Sequence, residues 1–359
     1  MKINKLVLIA LTVGLTLTSC SNDDENITNV ASLGNYENGI LISNEGNFFG
    51  GNASVSFVSN NFATVENDVF KNVNSMLLGD TAQSMALDGG LAYIVVNVSK
   101  KIEVVNRYTF ESLGTVDSGL INPRYMAITN GKGYVTDWGD GSDATDDFIA
   151  VINLETYTVE STIAVAEGPE QIIINENTLY VSHKGGFSSN NIVSIIDAAS
   201  ASVNTITVND NPDDMAFDAS GNLLVLCEGR VIYNSDFSEI TGHTLGSITK
   251  IDTNSNTVLS NLNFNLGDHP RSFAIHSGNI YYYLSGGVYK IESTTSGLPI
   301  NPIFTESLYG SIVIKNNNLY STKTDFTAGT GSLLVFDLST NTLVETKTLK
   351  VGASKIYFN

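Results

Sequence analysis

The sequence predicts an all-β protein, a seven-bladed β-propeller of four-stranded antiparallel blades, from three observations. A unit of four short β-rich runs separated by turn residues is clearest between residues 122 and 169. Its Pro-x-x-apolar opening, at Pro123, recurs at Pro169, Pro212 and Pro270, at spacings of 43 to 58 residues. Apolar stretches with helical periodicity are absent after the first 20 residues. Repeats of this length and strand content are typical of propeller blades.

The strands of the clearest unit can be assigned in order. Its four runs cover residues 125–128, 133–136, 148–154 and 159–165. The first two runs are joined by a turn at Asn130-Gly131, and an acidic loop precedes the third. Weaker openings at residues 82–87 and 309–314 complete the series. One such sheet cannot bury either face alone, so we expect the copies to stack around a ring.

The two ends of the chain predict that a shared blade closes the ring. The first unit has its second, third and fourth runs, without a first run before them, at residues 39–43, 54–59 and 63–70. The last residues, 352–358, have the pattern of a first run with nothing after it. We therefore expect residues 355–358 to pair with residues 40–43, which would leave no open sheet edge at the closure.

Residues 1–19 are predicted to be a lipoprotein signal peptide. Lys2 and Lys5 begin a segment whose apolar stretch, residues 6–17, is too short to span a bilayer. The segment ends in Leu-Thr-Ser-Cys, which resembles a bacterial lipobox and implies that Cys20 is lipidated. An ordinary secretory signal is the alternative, and it would leave Cys227 as the only partner for Cys20.

Residues 20–36 are predicted to be a lipidated acidic tether, and residues 37–359 the propeller domain. The run Ser-Asn-Asp-Asp-Glu at residues 21–25 resembles the export signal that sends lipoproteins of Bacteroidetes to the outer face of the outer membrane. A solvated linker is the alternative interpretation. The expected location is therefore the outer membrane, with a lipid anchor and exposure at the cell surface.

The composition fits an extracytoplasmic domain. The chain carries 37 acidic and 18 basic residues, a net charge of −19, which becomes −21 without Lys2 and Lys5. This excess of negative charge makes nucleic acid an unfavourable partner, because the phosphate backbone is itself anionic. With Cys20 lipidated only Cys227 remains, so we expect no disulfide framework.

Binding is expected on one face of the disc, here called the loop face. It carries the starts of the first strands and the loops between second and third strands. Unequal loops there predict a walled recess over the central channel, with two low sides. The long loops cover residues 44–52, 138–147, 184–191, 228–246 and 325–331, and the tight ones cover residues 97–100 and 285–287.

The candidate ligand-binding residues lie in these loops and at the blade openings. Phe48 and Phe49 stand among glycines and amides, a composition that suits a flat or amphipathic ligand. They could instead pack beneath the loop, and Trp138, next to Asp137, has the same two interpretations. The full set is Asn44, Glu45, Asn47, Phe48, Phe49, Arg124, Asp137, Trp138, His183, Lys184 and Arg271.

Two of these candidates, Arg124 and Arg271, follow blade-opening prolines where the first strand approaches the channel. A guanidinium there could hold a carboxylate, a phosphate or an amide oxygen of a ligand. It could also neutralise Glu170 and Asp213 across the channel, and both roles are compatible. The polar ring predicted at these positions also includes Gln83 and Lys355.

Other chemistry is sparse in the sequence. The loop at residues 137–147 carries five carboxylates and could wrap calcium through Asp137, Asp140 and Asp143, or it could be a solvated acidic loop without the spacing of an EF-hand. No nucleophile elbow, zinc-protease motif, Cys-x-x-Cys or phosphate-binding loop is present. His183 and His269 could face the recess, whereas the three tyrosines at 281–283 and Cys227 are expected in the core. We predict neither catalysis nor a cofactor of the protein's own.

The blade pattern carries a family resemblance. The Pro-x-x-apolar openings, the run Leu179-Tyr180-Val181 and the third run at residues 193–197 resemble YncE-type and surface-layer-type seven-bladed propellers over the whole mature chain. With the lipobox, the acidic run and residues 42–48, the chain resembles the surface lipoproteins of Bacteroidetes that accompany TonB-dependent transporters, such as the BtuG-type proteins that capture cobalamin. The resemblance implies ligand capture for a TonB-dependent transporter, with cobalamin as the leading ligand, although no residue here is a diagnostic cobalamin contact.

Two other classes of function remain open. A protein- or glycan-interaction scaffold would recover a partner protein from solubilised outer membrane without any small ligand. A lactonase- or quinoprotein-like enzyme would carry a metal or a quinone when purified.

Overall fold

The seven-bladed propeller predicted from the sequence is confirmed by a computed structural model, which describes residues 32–292 and 297–359. Within these residues there are thirty β-strands and one six-residue helix. That helix is neither long nor apolar enough to cross a membrane. The predicted signal peptide, Cys20 and the acidic run at 21–25 lie outside the described residues.

The first four blades occupy the N-terminal half of the ring. Blade 1 contains β1 (Gly39–Asn44), β2 (Ser54–Ser59) and β3 (Val65–Glu66), followed by the helix α1 (Val69–Asn74). Blade 2 contains β4 (Ala82–Asp88), β5 (Leu91–Val96), β6 (Lys101–Asn106) and β7 (Ser112–Val116). Blade 3 contains β8 (Pro123–Thr129), β9 (Lys132–Asp137), β10 (Phe148–Asn153) and β11 (Thr158–Ala164). Blade 4 contains β12 (Pro169–Asn175), β13 (Thr178–His183), β14 (Ile192–Asp197) and β15 (Val203–Thr207).

The last three blades complete the ring, and the fifth carries an insertion. Blade 5 contains β16 (Pro212–Phe217), β17 (Leu223–Cys227), β20 (Ser247–Asp252) and β21 (Thr257–Asn263), with an inserted hairpin of β18 (Val231–Tyr233) and β19 (Ile240–His243). Blade 6 contains β22 (Ser272–His276), β23 (Asn279–Leu284), β24 (Gly287–Glu292) and β25 (Phe304–Thr305). Blade 7 contains β26 (Val313–Lys315), β27 (Asn318–Asp325), β28 (Thr330–Asp337) and β29 (Thr342–Lys350).

The ring closes as predicted, because the C-terminal strand joins the N-terminal blade. β30 (Ala353–Phe358) pairs with β1, with Phe358 opposite Ile40 and Lys355 opposite Ser43. β30 also contacts β4 of blade 2 and β27 of blade 7, so it takes the place of a first strand. Elsewhere the first strands of successive blades contact one another around the axis. The C-terminal strand therefore covers the inner edge of β1, where the ring closes.

Apolar clusters between neighbouring blades hold the ring together. Each cluster draws its buried side chains from two adjacent sheets, as where Ile40 and Ile42 of blade 1 meet Leu333 and Val335 of blade 7. Tyr281 and Tyr282 alternate between the two junctions of blade 6, as predicted for core residues. Tyr283 is half-buried, packs against the cluster between blades 6 and 7, and also borders the central channel.

The predicted fourth run at residues 63–70 is confirmed only in part. β3 pairs over Val65–Glu66 only, and the chain then forms the short helix α1, which was not predicted. Val69 and Phe70 are fully buried in the junction between blades 1 and 2. A turn of helix places two consecutive apolar side chains on this one surface, which alternation along a strand would not do.

One loop prediction also needs correction. The stretch at 325–331 is not a long loop, because β27 and β28 remain paired out to Asp325 opposite Thr330. The stretch at 228–246 is long, as predicted, and it contains the β18–β19 hairpin. The predicted tight connections at 97–100 and 285–287 are confirmed as short turns between paired strands.

Candidate functional site

A recess of about 370 Å³ lies over the central channel on the loop face. Its floor comes from the starts of the first strands, and its walls come from residues that directly follow second strands. Eight charged side chains line it, which are Glu45, Glu170, Lys184, Asp213, Asp214, Glu228, Arg271 and Lys355. Three tyrosines also line it, which are Tyr125, Tyr283 and Tyr309. The recess is therefore strongly polar.

On one side of the recess the Arg124 side chain forms hydrogen bonds with residues of the two neighbouring blades. Its guanidinium donates two hydrogen bonds to the carboxylate of Glu170, at 3.0 and 2.8 Å, and one to Gln83 Oε1 at 2.9 Å. The indole ring of Trp138 lies 3.9 Å from the guanidinium carbon. Of the two predicted roles for this arginine, the structure shows neutralisation of Glu170.

Lys184 is the centre of a second cluster. It directly follows β13, and its Nζ lies 2.6 Å from Asp213 Oδ2 and 2.9 Å from Glu228 Oε1. Its backbone N–H donates to Gly168 O. Gly168 has a φ of +68°, and a Cβ there would come within 2.2 Å of the Gly186 backbone nitrogen. Glycine at 168 is thus required for the close approach that fixes Lys184 over the channel.

The ionisation of this cluster follows from burial and from the two ion pairs. Burial opposes the charge of Lys184, but Asp213 and Glu228 outweigh it and raise the pKa of the ammonium group. Burial also opposes the charge of Asp213, yet Lys184 lowers the pKa of that carboxyl. For Glu228 burial prevails over the attraction of Lys184 and raises its pKa to about 7. Of the two carboxylates of the cluster, Glu228 is thus the one whose charged form is less stabilised.

A third cluster surrounds Lys355 on the closing strand. Its Nζ lies 5.3 Å from the centroid of the Tyr125 ring. Burial opposes its charge, while Tyr125, Asp214 and Asp213 together raise its pKa well above the ordinary value. Asp214 accepts hydrogen bonds from Ser272 Oγ at 2.7 Å and from the backbone N–H of Phe273 at 3.2 Å. The charge of Lys355 is thereby balanced within the protein.

Arg271 is different from the other cations of the recess. It is exposed, and among residues 32–292 and 297–359 its guanidinium has no hydrogen-bond or ion-pair partner. Its backbone N–H donates to Tyr283 O, which fixes the residue at the opening of blade 6. The guanidinium is free to bind an oxyanion from solution.

A larger groove of about 880 Å³ adjoins the recess and shares Glu228 and Arg271 with it. The inserted hairpin forms one wall and the loop after β13 forms the other. Phe187 and Phe237 are 78% and 79% exposed there, and the ring centroid of Tyr233 lies 6.1 Å from that of Phe237. The site as a whole is a polar recess that continues into an aromatic groove.

The structure brings three of the predicted ligand residues into the recess, Glu45, Lys184 and Arg271. Phe48 and Phe49 lie outside it at a loop tip, 69% and 76% exposed, with ring centroids 4.2 Å apart, so they do not form the alternative buried cluster. Asn47 is exposed in the same loop. Trp138 is half-buried, and its Nε1 donates to Pro169 O at 2.9 Å.

Three other candidates face inward, contrary to the prediction that they meet a ligand. Asn44 donates to Ser54 Oγ and Ser56 Oγ, and the Asp137 carboxylate accepts from the backbone N–H groups of Ile121 and Asn122. His183 donates from Nδ1 to Glu167 O and accepts at Nε2 from Ser194 Oγ, and burial lowers its pKa to about 4. Each side chain satisfies polar groups at the end of a strand, so none is available to the recess.

The acidic loop does not gather its carboxylates around a cation. Asp140 accepts from the backbone and hydroxyl of Ser142, and Asp143 does the same with Thr145. The described part of the chain contains no group of three or more His, Cys, Asp or Glu side chains that could hold a metal. The calcium site proposed for Asp137, Asp140 and Asp143 therefore has no geometric support.

Glu228 and Tyr309 line the recess but were not among the predicted ligand residues. The position of Glu228 in its blade could have indicated it. Glu228 directly follows β17, just as Lys184 directly follows β13, so both occupy the same position in neighbouring blades. Another unpredicted pair is His243 and His269, whose Nδ1 and Nε2 atoms are 2.9 Å apart at the base of the hairpin. His269 Nδ1 also donates to Glu228 O at 2.8 Å.

Comparisons with solved structures support the fold. A protein of Bacteroides uniformis ATCC 8492 described as a candidate 6-phosphogluconolactonase aligns with a TM-score of 0.60 at 11% identity, over 90% of this chain and 100% of its own. The dihydro-haem d1 dehydrogenase NirN in complex with DHE aligns at 0.55 and 12%, over 92% and 78%. The computationally designed Ika8 protein aligns at 0.55 and 10%, over 83% and 81%. At such identities the likeness concerns the fold alone.

Sequence comparison places the chain in one family. No curated protein matches it. A family model, DUF5074, a domain of unknown function, matches residues 38–351 and so spans all seven blades. The chain belongs to the DUF5074 family.

Proposed function

We propose that this protein captures a small ligand at the loop face and passes it to a TonB-dependent transporter, without catalysing a reaction. The observation that carries the proposal is the Arg271 guanidinium, which is unpartnered and stands where the polar recess meets the aromatic groove. An arginine in that position can hold a carboxylate, phosphate or amide oxygen while the rest of the ligand extends over the groove.

The dimensions of the site suit this role. The recess and the groove, about 370 and 880 Å³, are of the size that small-molecule sites usually have. Phe187, Tyr233 and Phe237 offer aromatic faces to an apolar or flat part of the ligand. A rigid ring of blades holds both walls, so little ordering is needed on binding.

Cobalamin is the leading ligand, and this choice rests on the family resemblance of the sequence. Its amide side chains and phosphate are groups that Arg271 can bind, and its flat macrocycle fits against aromatic side chains. A lipid anchor at Cys20 and export to the cell surface belong to the same proposal, because a capture protein must stand beside its transporter.

Isothermal titration of the chain from residue 21 onward, which contains every described strand, tests the proposal. Cyanocobalamin and haem are the ligands to titrate. We expect saturable binding of one of them with one site per chain. Absence of heat and of any spectral change with both removes the cofactor version of the proposal.

A scaffold that binds a partner protein is the second candidate, favoured by Phe48 and Phe49. This exposed aromatic pair stands outside the recess, where a small ligand in the recess would not touch it. Large exposed apolar groups often mark protein contacts. Recovery of a membrane protein from solubilised outer membrane by the wild type, and loss of that protein with Phe48→Ser and Phe49→Ser, would favour this candidate.

A further inference from the structure

We infer that the part of the ligand that enters the recess is dipolar, with an anionic group held by Arg271 and a cationic group held by Glu45. The inference rests on the proposed capture function and names the chemical class that the recess selects. Amino acids and other compounds with one amine and one carboxylate are the simplest members of this class, whereas cyanocobalamin, which has no amine, lies outside it.

The charged side chains of the recess divide into those held by close contacts within the protein and those without an ion-pair partner or such a set of contacts. Glu170 is bound by Arg124 through two hydrogen bonds. Lys184 lies within ion-pair distance of both Asp213 and Glu228. Lys355 lies against the Tyr125 ring, and Asp214 accepts two hydrogen bonds from blade 6. Six of the eight charged side chains that line the recess are therefore held by contacts within the protein.

The two that remain carry opposite charges, Arg271 and Glu45. Within the described ranges neither has an ion-pair partner. The Glu45 carboxylate accepts one hydrogen bond, from Tyr309 Oη at 2.9 Å, and this leaves lone pairs on both oxygens for an ammonium donor. Its position is fixed, because the Glu45 backbone N–H donates to Gly352 O at 2.8 Å. Glu45 follows β1 of blade 1 and Arg271 precedes β22 of blade 6, so in the ring the opening of blade 7, with Tyr309, lies between them.

Selectivity follows from the cost of leaving a charge unpaired. A ligand with a carboxylate alone would bind Arg271 but would displace water from Glu45 without replacing it by a partner, and an amine alone would do the reverse. An uncompensated charge that loses solvent is costly, and a charge-assisted hydrogen bond to the ligand offsets that cost. A dipolar ligand satisfies both ends at once.

The test is a calorimetric titration with a graded series of linear ω-amino carboxylates, from glycine to 6-aminohexanoate. Hexanoate and hexylamine serve as singly charged controls. We expect one chain length to bind at least about tenfold more tightly than either control, a difference of about 1.4 kcal/mol. The preferred length then reports the separation of the two protein charges.

Two variants separate the roles of the charges. In Arg271→Ala the best amino carboxylate should bind no better than hexylamine, and in Glu45→Gln no better than hexanoate. Lys71→Ala and Glu155→Gln remove the same charges at exposed positions that do not line the recess, and they should bind like the wild type. Thermal melts of all four variants show whether the ring is intact.

Each result decides the question. Equal binding of amino carboxylates and singly charged controls, or no binding of any amino carboxylate, overturns the inference. Cyanocobalamin and haem are titrated into the same preparation, so binding of either one with no amino carboxylate binding would leave ligand capture standing while the dipolar inference falls. Absence of binding by all ligands removes both.

Discussion

At the scale of single residues, Arg124 and Arg271 show how one sequence position can have two roles. Both follow a blade-opening proline, but Arg124 finds Glu170 at the matching position of the next blade. For Arg271 the equivalent positions of the next blade are Gly310 and Ser311, which carry no charge. The equivalent residue of the preceding blade is Asp213, which already forms an ion pair with Lys184. The difference depends on contacts between blades, so the local pattern around each arginine could not reveal it.

Removal of Arg124 should destabilise the ring. The side chains of Arg124 and Glu170 are only 15% and 5% exposed, so Arg124→Ala leaves a buried carboxylate without its partner. Breaking such a pair costs about 3 to 5 kcal/mol, whereas replacing both members by apolar residues is often nearly neutral. We expect a loss of this size in urea unfolding of Arg124→Ala and recovery of most of it in Arg124→Met with Glu170→Met. A change below about 1 kcal/mol in the single variant would show that water replaces the arginine.

Asp147 should make stability depend on pH. Burial raises the pKa of its carboxyl to about 7, against a hydrogen bond from the Gly168 N–H, and Asp146, Glu167 and Asp137 add repulsion. The pKa of Asp147 is higher in the folded protein than in the unfolded chain. The contribution of Asp147 to the free energy of unfolding is therefore fully present below about pH 4 and is lost as the pH rises through 7.

Asp147→Asn keeps the hydrogen-bond acceptor and removes the titration. We expect the stability of the variant relative to the wild type to increase as the pH rises. Urea unfolding midpoints of both proteins at pH 4, 6 and 8 measure this difference. A constant difference between the two proteins over that range would contradict the assigned burial of Asp147.

At the scale of elements, the β18–β19 hairpin is the feature that distinguishes blade 5. Its strands have three and four residues, too short to give a periodic pattern in sequence, so residues 228–246 were predicted only as a long loop. The helix α1 was missed for a related reason, because Val69 and Phe70 have high strand propensity and only their shared burial favours a helical turn. The repeated strands of the blades were predictable, since each has turn residues at both ends and a matching copy elsewhere.

Deletion of the hairpin should remove the groove and spare the ring. Val231 pairs with His243, so replacing residues 232–242 by Asn-Gly leaves a two-residue turn between them and keeps the His243–His269 contact. We expect a melting temperature within about 3 °C of the wild type, because no blade junction is changed. Ligand affinity measured by calorimetry should fall at least about tenfold, through loss of Tyr233 and Phe237. Unchanged affinity would place the ligand entirely in the recess.

At the scale of the whole molecule, closure depends on β30. Its removal exposes the edge of β1 and takes Ala353 and Ile356 out of the junction between blades 7 and 1. It also removes Lys355 from the recess. An open ring keeps local blade contacts but loses the interface that makes it a closed circle.

A chain that ends at residue 352 should therefore lose its cooperative thermal transition and associate through the open edge. Differential scanning calorimetry and size-exclusion chromatography measure both effects. The hairpin deletion, which removes a similar number of residues, is the matched control and should remain a cooperative monomer. A sharp transition in the truncated chain would show that the blades do not depend on closure.

The architecture was more predictable than the site because the two depend on different kinds of contact. The pairing of residues 355–358 with 40–43 could be predicted because an incomplete blade at each end has only one way to become complete. The positions of Asn44, Asp137 and His183 could not, because each residue ends a strand on the loop face and turns inward to satisfy nearby backbone or hydroxyl groups. Strand position fixes the face of the disc, whereas hydrogen bonding decides which way a side chain turns there.

The central claim is that a ligand binds where the recess meets the groove, at Arg271. Cyanocobalamin titrated calorimetrically into the wild type and into Arg271→Ala, with a thermal melt of both proteins as the folding control, tests it most directly. We expect binding with one site per wild-type chain and an affinity at least about tenfold weaker in the variant. No binding to the wild type would remove cyanocobalamin as the ligand, and equal affinity in the two proteins would contradict binding at Arg271.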